Sequence, residues 1–136
     1  MTEVRLERTL TAPPEKVYAA WTDAALLGRW LCPNPALEVE ATADAVVGGR
    51  YRVDMGAGTY VVEGAFRELD PPRLVVVSWR WATSDEPETT VRVELAPTVD
   101  GGTHLTLLHT GLVDAEDAQG HAEGWELSLD RLVALT

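Results

Sequence analysis

The segment that decides the fold is the last one, Asp114–Leu135, which reads DAEDAQGHAEGWELSLDRLVAL. Asp114 is a residue type favoured at helix N-caps, and the acidic residues that follow it favour a helix dipole. Apolar side chains then recur with helical spacing and form one stripe: Trp125, Leu129, Leu132 and Val133. The segment therefore predicts one long C-terminal helix, and its apolar stripe has to be covered by other elements.

Strand-like segments precede this helix, at about 36–43, 50–55, 59–69, 73–82, 88–97 and 103–110. The short turn sequences GG, GAG, DPP, SDEP and DGG separate them. Connections of this kind predict antiparallel neighbours that keep one face of the sheet for the core. Within 59–69 the alternation changes parity between Phe66 and Leu69, which indicates a β-bulge or an effect of Gly64.

The N-terminal part adds one strand and two short helices. EVRLERTL alternates between apolar and charged residues, as a half-buried strand does. APPEKVYAAWTDAALLGRW follows, with Pro13 and Pro14 suited to a helix start and Asp23 suited to cap a second helix. The complete order predicts an α+β protein in which a curved antiparallel sheet wraps around the final helix. We expect residues 1–136 to form a single domain.

Composition narrows the range of partners and locations. The chain has 22 acidic and 11 basic residues and a net charge of −11, so it repels phosphate backbones and anionic lipid surfaces. We therefore expect neither nucleic acid nor a membrane as a partner. A single cysteine, Cys32, rules out an intrachain disulfide, and the N-terminus lacks the apolar core of a signal peptide. Both features predict a cytoplasmic protein.

Strand parity places an unusual set of side chains on the inner face of the sheet. The set comprises large, flat and partly polar residues: Tyr51, Met55, Trp79, Trp81 and His109, joined by Trp125 from the helix. Aromatic walls with a few polar tips are typical of small-molecule cavities. The alternative is that the five tryptophans of the chain simply fill the core, with each N–H finding an acceptor.

The three histidines are the candidates for acid–base catalysis or metal binding. His109 faces inward and is the best candidate for a general acid or base. The alternative is a neutral histidine that is hydrogen-bonded to a tryptophan, a tyrosine or the backbone. We expect His121 at the surface, and parity turns His104 outward. Because the three histidines lack metal-ligand spacing, no metal site or other cofactor is predicted.

Several segments, in this order and spacing, resemble the SRPBCC superfamily, the START and birch-pollen-allergen-like helix-grip proteins. The matching pieces are LTAPPEKVYAAWTDAALLGRWL, VGGRYRVDM, EGAFRELDPPRLVVVSWRW, TTVRVELAPTVDGGTHLTLLHTGL and HAEGWELSLDRLVAL. Within the superfamily, the chain is most similar to the activator of heat-shock-protein ATPase homologue type. The resemblance implies a cavity between sheet and helix. It also implies that Gly124 lets the helix approach its neighbours closely while Trp125 plugs or lines the cavity.

Three functions remain open from the sequence. The first is binding of a small hydrophobic or aromatic ligand, with the cavity lined by Tyr51, Met55, Trp79, Trp81 and Trp125 and a polar group oriented by His109. The second is a small cyclase or dehydratase that uses His109 as its acid or base. The third is an interaction protein that partners a chaperone or forms a homodimer, with its acidic surface against a basic patch.

Overall fold

The computed structural model describes residues 2–136, in which the chain forms seven strands and three helices. In chain order these are β1 (Thr2–Leu10), α1 (Pro14–Thr22), α2 (Ala24–Trp30), β2 (Val39–Ala43), β3 (Arg50–Met55), β4 (Tyr60–Asp70), β5 (Leu74–Trp81), β6 (Thr89–Pro97), β7 (Thr103–Leu112) and α3 (Ala115–Leu135). The predicted order of elements and the α+β class are confirmed.

The seven strands form one antiparallel sheet with the order β1-β7-β6-β5-β4-β3-β2. Chain neighbours pair through short turns, and only β1 is paired with a distant strand, β7. The sheet is curved, and α3 packs into its concave face, where its apolar residues join the main core. This is the expected helix-grip fold.

Helix ends follow the chemistry that the sequence indicates. Pro14 begins α1, and the Asp23 side chain accepts a hydrogen bond from the Leu26 backbone N–H at 3.2 Å, so it caps α2. The Asp114 side chain likewise accepts from the Asp117 N–H at 2.8 Å and caps α3. Near the other end of α3, Arg131 donates to the Cys32 carbonyl at 2.8 Å and so joins α3 to the end of α2.

The expected change of parity in β4 is present, and a β-bulge accounts for it. The register against β5 shifts between Phe66 and Glu68, as a bulge requires. Gly64 lies so close to the neighbouring strand that a Cβ there would come within 2.0 Å of the Ser78 carbonyl oxygen. Of the two explanations that the sequence left open, the bulge is therefore the one that changes the parity, whereas Gly64 permits the close approach of the two strands.

The apolar stripe of α3 is confirmed for Trp125, Leu129 and Leu132, all of which are buried. The expectation that Val133 belongs to the buried stripe is wrong, because Val133 is 38% exposed. A helix turns by about 100° per residue, which carries Val133 past the edge of the stripe, and Ser128 is buried at the opposite edge instead. None of the helices in the described part of the chain is long and apolar enough to cross a membrane.

Candidate functional site

A cavity of about 870 Å³ opens between the sheet and the first half of α3. Its wall comes from Met55 at the end of β3, from Trp79 and Trp81 on β5, from the loop after β5, from the segment after α2, and from the helix itself. The volume lies within the range of about 300–1,000 Å³ that is usual for small-molecule sites. The site is therefore large enough for a ligand of several rings.

Three indoles form the aromatic wall of this cavity. The ring centroids of Trp79 and Trp125 lie 4.9 Å apart, and those of Trp79 and Trp81 lie 5.5 Å apart with nearly perpendicular planes. Trp79 and Trp125 are buried, whereas Trp81 is half-buried. Ring pairs with these separations stabilise each other edge-on or tilted, so the wall is a rigid apolar surface.

The Trp79 indole N–H has no hydrogen-bond acceptor among residues 2–136, although it is buried. An unpaired buried donor costs about 1–3 kcal/mol. The Trp21 N–H shares this condition, but Trp21 packs between Trp30 and Trp125 and lies outside the cavity wall. Trp79 is therefore the residue of the cavity wall that carries a buried N–H without an acceptor.

Gly124 has a different role from the one that the resemblance implied. A Cβ atom built on Gly124 would meet nothing within 4 Å, and the same holds for Gly120 one turn earlier. The helix therefore makes no close approach at Gly124, and the expectation of tight packing there is wrong. Both glycines line the cavity, and Ser128 continues the same face. The small residues of α3 leave volume open opposite the indoles.

His109 lies at the centre of a closed hydrogen-bond chain. The Trp125 Nε1–H donates to His109 Nδ1 at 3.0 Å, and His109 Nε2 lies 2.6 Å from Thr89 Oγ1, which donates to the Trp79 carbonyl at 3.1 Å. Because Nδ1 must accept from an indole, Nε2 carries the proton and the imidazole is neutral. Burial, aided by the nearby His121, lowers the pKa of His109 to about 3.

This environment does not suit an acid–base catalyst. Both ring nitrogens of His109 are engaged, the side chain is fully buried, and it is not part of the cavity wall. The structure thus matches the alternative of a neutral histidine bonded to a tryptophan. Its position below Trp125 orients the indole that does line the cavity.

Four of the six residues predicted for the site meet at the cavity: Met55, Trp79, Trp81 and Trp125. Tyr51 and His109 face inward as parity predicts, yet they lie behind the wall. The Tyr51 hydroxyl donates to the Ser78 carbonyl at 2.5 Å, and burial raises the pKa of that hydroxyl. An inward direction therefore does not by itself bring a side chain to the cavity.

His121 was expected at the surface, but it lines the cavity instead. The side chain is 12% exposed, and its Nε2 accepts a hydrogen bond from the Trp81 Nε1–H at 3.0 Å. Its Nδ1 lies 2.9 Å from the Asp117 carbonyl, so it carries the proton and donates. His121 stands one turn before Trp125 on the same stripe, and that spacing was the signal for an inward position.

Carboxylates gather at the mouth of the cavity. Ligand atoms of Glu86, Asp117 and His121 all lie within 4.8 Å of one another, and Asp114 and Glu116 stand beside them. No lysine or arginine belongs to the cavity wall in the part of the chain that the structure describes. An ion such as Zn²⁺, which would take His121 as a ligand, finds no free lone pair there, because both ring nitrogens of His121 are already engaged.

The fold and the cavity define a class of protein, the helix-grip proteins, in which a curved sheet holds a C-terminal helix above an internal site. Within that class, a family model described as "Activator of Hsp90 ATPase homolog 1-like protein" matches residues 11–136. The chain therefore belongs to this family, as the sequence resemblance suggested. No curated protein sequence matches the chain.

Solved structures agree with this assignment. Protein CV1439 from Chromobacterium violaceum is 32% identical, with a TM-score of 0.86, and the match covers 98% of this chain and 95% of that one. The AHSA1 protein from Silicibacter pomeroyi is also 32% identical, with a TM-score of 0.82 and coverage of 98% and 96%. PFC0360w, an HSP90 activator from Plasmodium falciparum, shares the fold at 23% identity, a TM-score of 0.79 and coverage of 99% and 96%.

Proposed function

We propose that this protein binds a small hydrophobic or aromatic molecule in the cavity between the sheet and α3. The observation that carries the proposal is the open volume between the indole wall and the glycine face of the helix. A space of about 870 Å³ beside a buried aromatic wall is typical of a ligand site.

The glycines strengthen the proposal because no packing contact explains them. Glycine inside a helix costs about 1 kcal/mol relative to alanine. That cost is usually offset where another backbone approaches closely, but nothing lies within 4 Å of a Cβ at Gly120 or Gly124. Keeping the cavity open accounts for two weak helix formers on one face of α3.

The wall offers a ligand mainly aromatic faces, because the unpaired Trp79 N–H is itself buried within the wall. Met55 offers an adaptable apolar contact on the opposite strand. We assign no acid–base role to His109, because its Nε2–H donates to Thr89 and its Nδ1 accepts from Trp125, both behind the wall.

The test is to fill the cavity from the helix. The probe is 2-naphthylmethanol, a neutral two-ring alcohol, and its binding to the full chain is measured by isothermal titration calorimetry. We expect Gly124→Leu to abolish binding, because its side chain would occupy the open volume. The matched control is Glu126→Leu, which adds the same side chain to the exposed face of the same helix and should leave binding unchanged.

Native mass spectrometry of the purified protein provides an independent readout. A small molecule that co-purifies with the wild type and is lost from Gly124→Leu would support the proposal. Equal binding of 2-naphthylmethanol by the wild type and by folded Gly124→Leu would contradict it, and so would a wild type that binds neither this probe nor any co-purified molecule.

A second candidate function is activation of an Hsp90-type chaperone, which the description of the matching family favours. The acidic surface suits a basic patch on a partner, and the loop before β3 exposes Val46 and Val47. The test is the ATPase rate of a purified Hsp90 with and without this protein at low and high salt. We expect stimulation that salt weakens and that Gly124→Leu leaves intact, and an unchanged rate would contradict this candidate.

A further inference from the structure

The mouth of the cavity carries negative charge from two separate elements. Asp114, Glu116 and Asp117 come from the start of α3, whereas Glu86 comes from the loop between β5 and β6. Among the residues that the structure describes, no lysine or arginine joins them on the wall. A charged ligand group at this mouth therefore meets a field of one sign.

The stability of α3 explains only part of this negative charge. Asp114 and Asp117 have structural roles. Asp114 caps the helix, and the Asp117 side chain accepts a hydrogen bond from the Val113 N–H at 3.4 Å. Carboxylates in a first helical turn also favour the helix dipole. Neither explanation applies to Glu86, which lies outside the helix. No hydrogen bond or ion pair joins its carboxylate to another residue in 2–136. It nevertheless lies within 4.8 Å of the Asp117 and His121 ligand atoms.

Two carboxylates so close together repel each other, and a cation between them removes that repulsion. A metal ion that needs a nitrogen ligand is a poor occupant, because the Nε2 lone pair of His121 accepts from Trp81 and its Nδ1–H donates to the Asp117 carbonyl. An ion held by oxygen atoms alone gains nothing from the neighbouring indoles. An ammonium group needs only oxygen acceptors and aromatic faces, and it finds both here. The open cavity of about 870 Å³ with its indole wall, which adjoins these carboxylates, independently marks a place for the apolar part of such a ligand.

We propose that the cavity selects organic cations, namely apolar or aromatic amines. The apolar body would lie against Trp79, Trp81 and Trp125, and the ammonium would lie at the mouth beside Glu86 and Asp117. This inference rests on the proposed function, because it names the chemical class of ligand for the same cavity. It adds that acids of equal size and shape are rejected.

The experiment compares three probes that share one ring system: 2-naphthylmethylammonium, 2-naphthylmethanol and 2-naphthoate. Each is titrated into the full chain at pH 7.5, at low and at high salt, by isothermal titration calorimetry. We expect the cation to bind best and the anion worst, with a ratio of about tenfold or more between them at low salt. High salt should reduce that ratio, because the mouth is open to solvent.

Two variants locate the charge that is responsible. Glu86→Gln should weaken binding of the cation about threefold and leave binding of the alcohol unchanged. Glu126→Gln is the matched control, since it removes one carboxylate from an exposed position outside the cavity wall. It should change neither affinity. Equal effects of the two variants on the cation would overturn the assignment, because net charge would then explain the preference.

The outcomes separate the two proposals. If the alcohol binds but the cation binds no more tightly, the charge selection is wrong and the hydrophobic cavity stands. If none of the three probes binds, both proposals fail. If a preference for the cation appears only after treatment with EDTA, the carboxylates hold a metal ion, and the organic-cation inference is overturned.

Discussion

The two halves of α3 lie against the same sheet but differ in packing: the second half is tightly packed, and the first half borders the open cavity. In the second half, Leu129 and Leu132 are almost fully buried, and Arg131 bonds to the backbone at the end of α2. In the first half, Gly120 and Gly124 face open volume, and acidic residues surround the mouth of the cavity. The second half thus anchors the helix, whereas the first half touches the sheet through Ala118 and the His121–Trp81 hydrogen bond and leaves its glycine face open.

Trp125 marks the boundary between the halves. Its ring packs on Trp21 and Trp79, and its N–H donates to His109. The same indole therefore closes the packed core on one side and forms the cavity wall on the other. The comparison teaches that a binding site in a small protein needs a rigid neighbour, because an unfilled space collapses unless other contacts keep its walls apart.

The largest effect is expected from the anchoring half. Leu132→Ala should lower the free energy of unfolding by about 2–5 kcal/mol, because it removes a fully buried side chain and leaves a void. The measurement is urea denaturation followed by circular dichroism. Leu127→Ala on the exposed face of the same helix is the control and should cost well under about 1 kcal/mol. Similar losses for the two variants would mean that the second half is not an anchor.

An intermediate effect is expected at the boundary, where pH acts on His109. Burial lowers its pKa from 6.5 to about 3. Below pH 6.5 the imidazole of His109 binds a proton in the unfolded chain but stays neutral in the folded protein. The free energy of unfolding therefore falls progressively as the pH drops from 6.5 towards 3. The loss is at most about 1.4 kcal/mol per pH unit. It should appear as a lower Tm at pH 5 than at pH 7, before most carboxylates titrate.

His109→Gln should flatten this dependence between pH 7 and pH 5, because glutamine can still accept from Trp125 and donate to Thr89 without titrating. The control is His104→Gln, since His104 is exposed and its Nε2 lies 2.9 Å from Glu7 at the surface. That variant should keep the wild-type slope. A His109→Gln protein with an unchanged slope would show that the buried imidazole is not the group responsible.

The smallest effect is expected in the open half. Gly124→Ala should stabilise the protein by up to about 1 kcal/mol, because alanine is the better helix former and its Cβ meets nothing within 4 Å. Gly64→Ala should instead destabilise strongly, since its Cβ would come within 2.0 Å of the Ser78 carbonyl oxygen. Thermal unfolding of both variants decides the matter. A clear loss of stability in Gly124→Ala would indicate that this face is packed after all.

Much of the fold was predictable because local patterns carry it. Alternation assigned the inner faces of β3, β6 and β7, and capping residues such as Asp23 and Asp114 marked helix starts. The site was only partly predictable. Tyr51 and His109 share the parity of Met55 and Trp79, but they lie behind the cavity wall. Strand parity predicts which face of the sheet a side chain points to, but it does not predict which other side chains lie between that residue and the cavity.

Which residues face the interior follows from the sequence alone, because backbone geometry repeats every two residues in a strand and every 3.6 in a helix. The acidic character of the surface follows from it too. The folded structure adds three relations: Gly124 faces empty space, His121 bonds to Trp81, and Glu86 meets Asp117 at the mouth of the cavity. No local pattern predicts these relations, because they depend on distances between elements far apart in the chain, which the packing of the whole molecule sets.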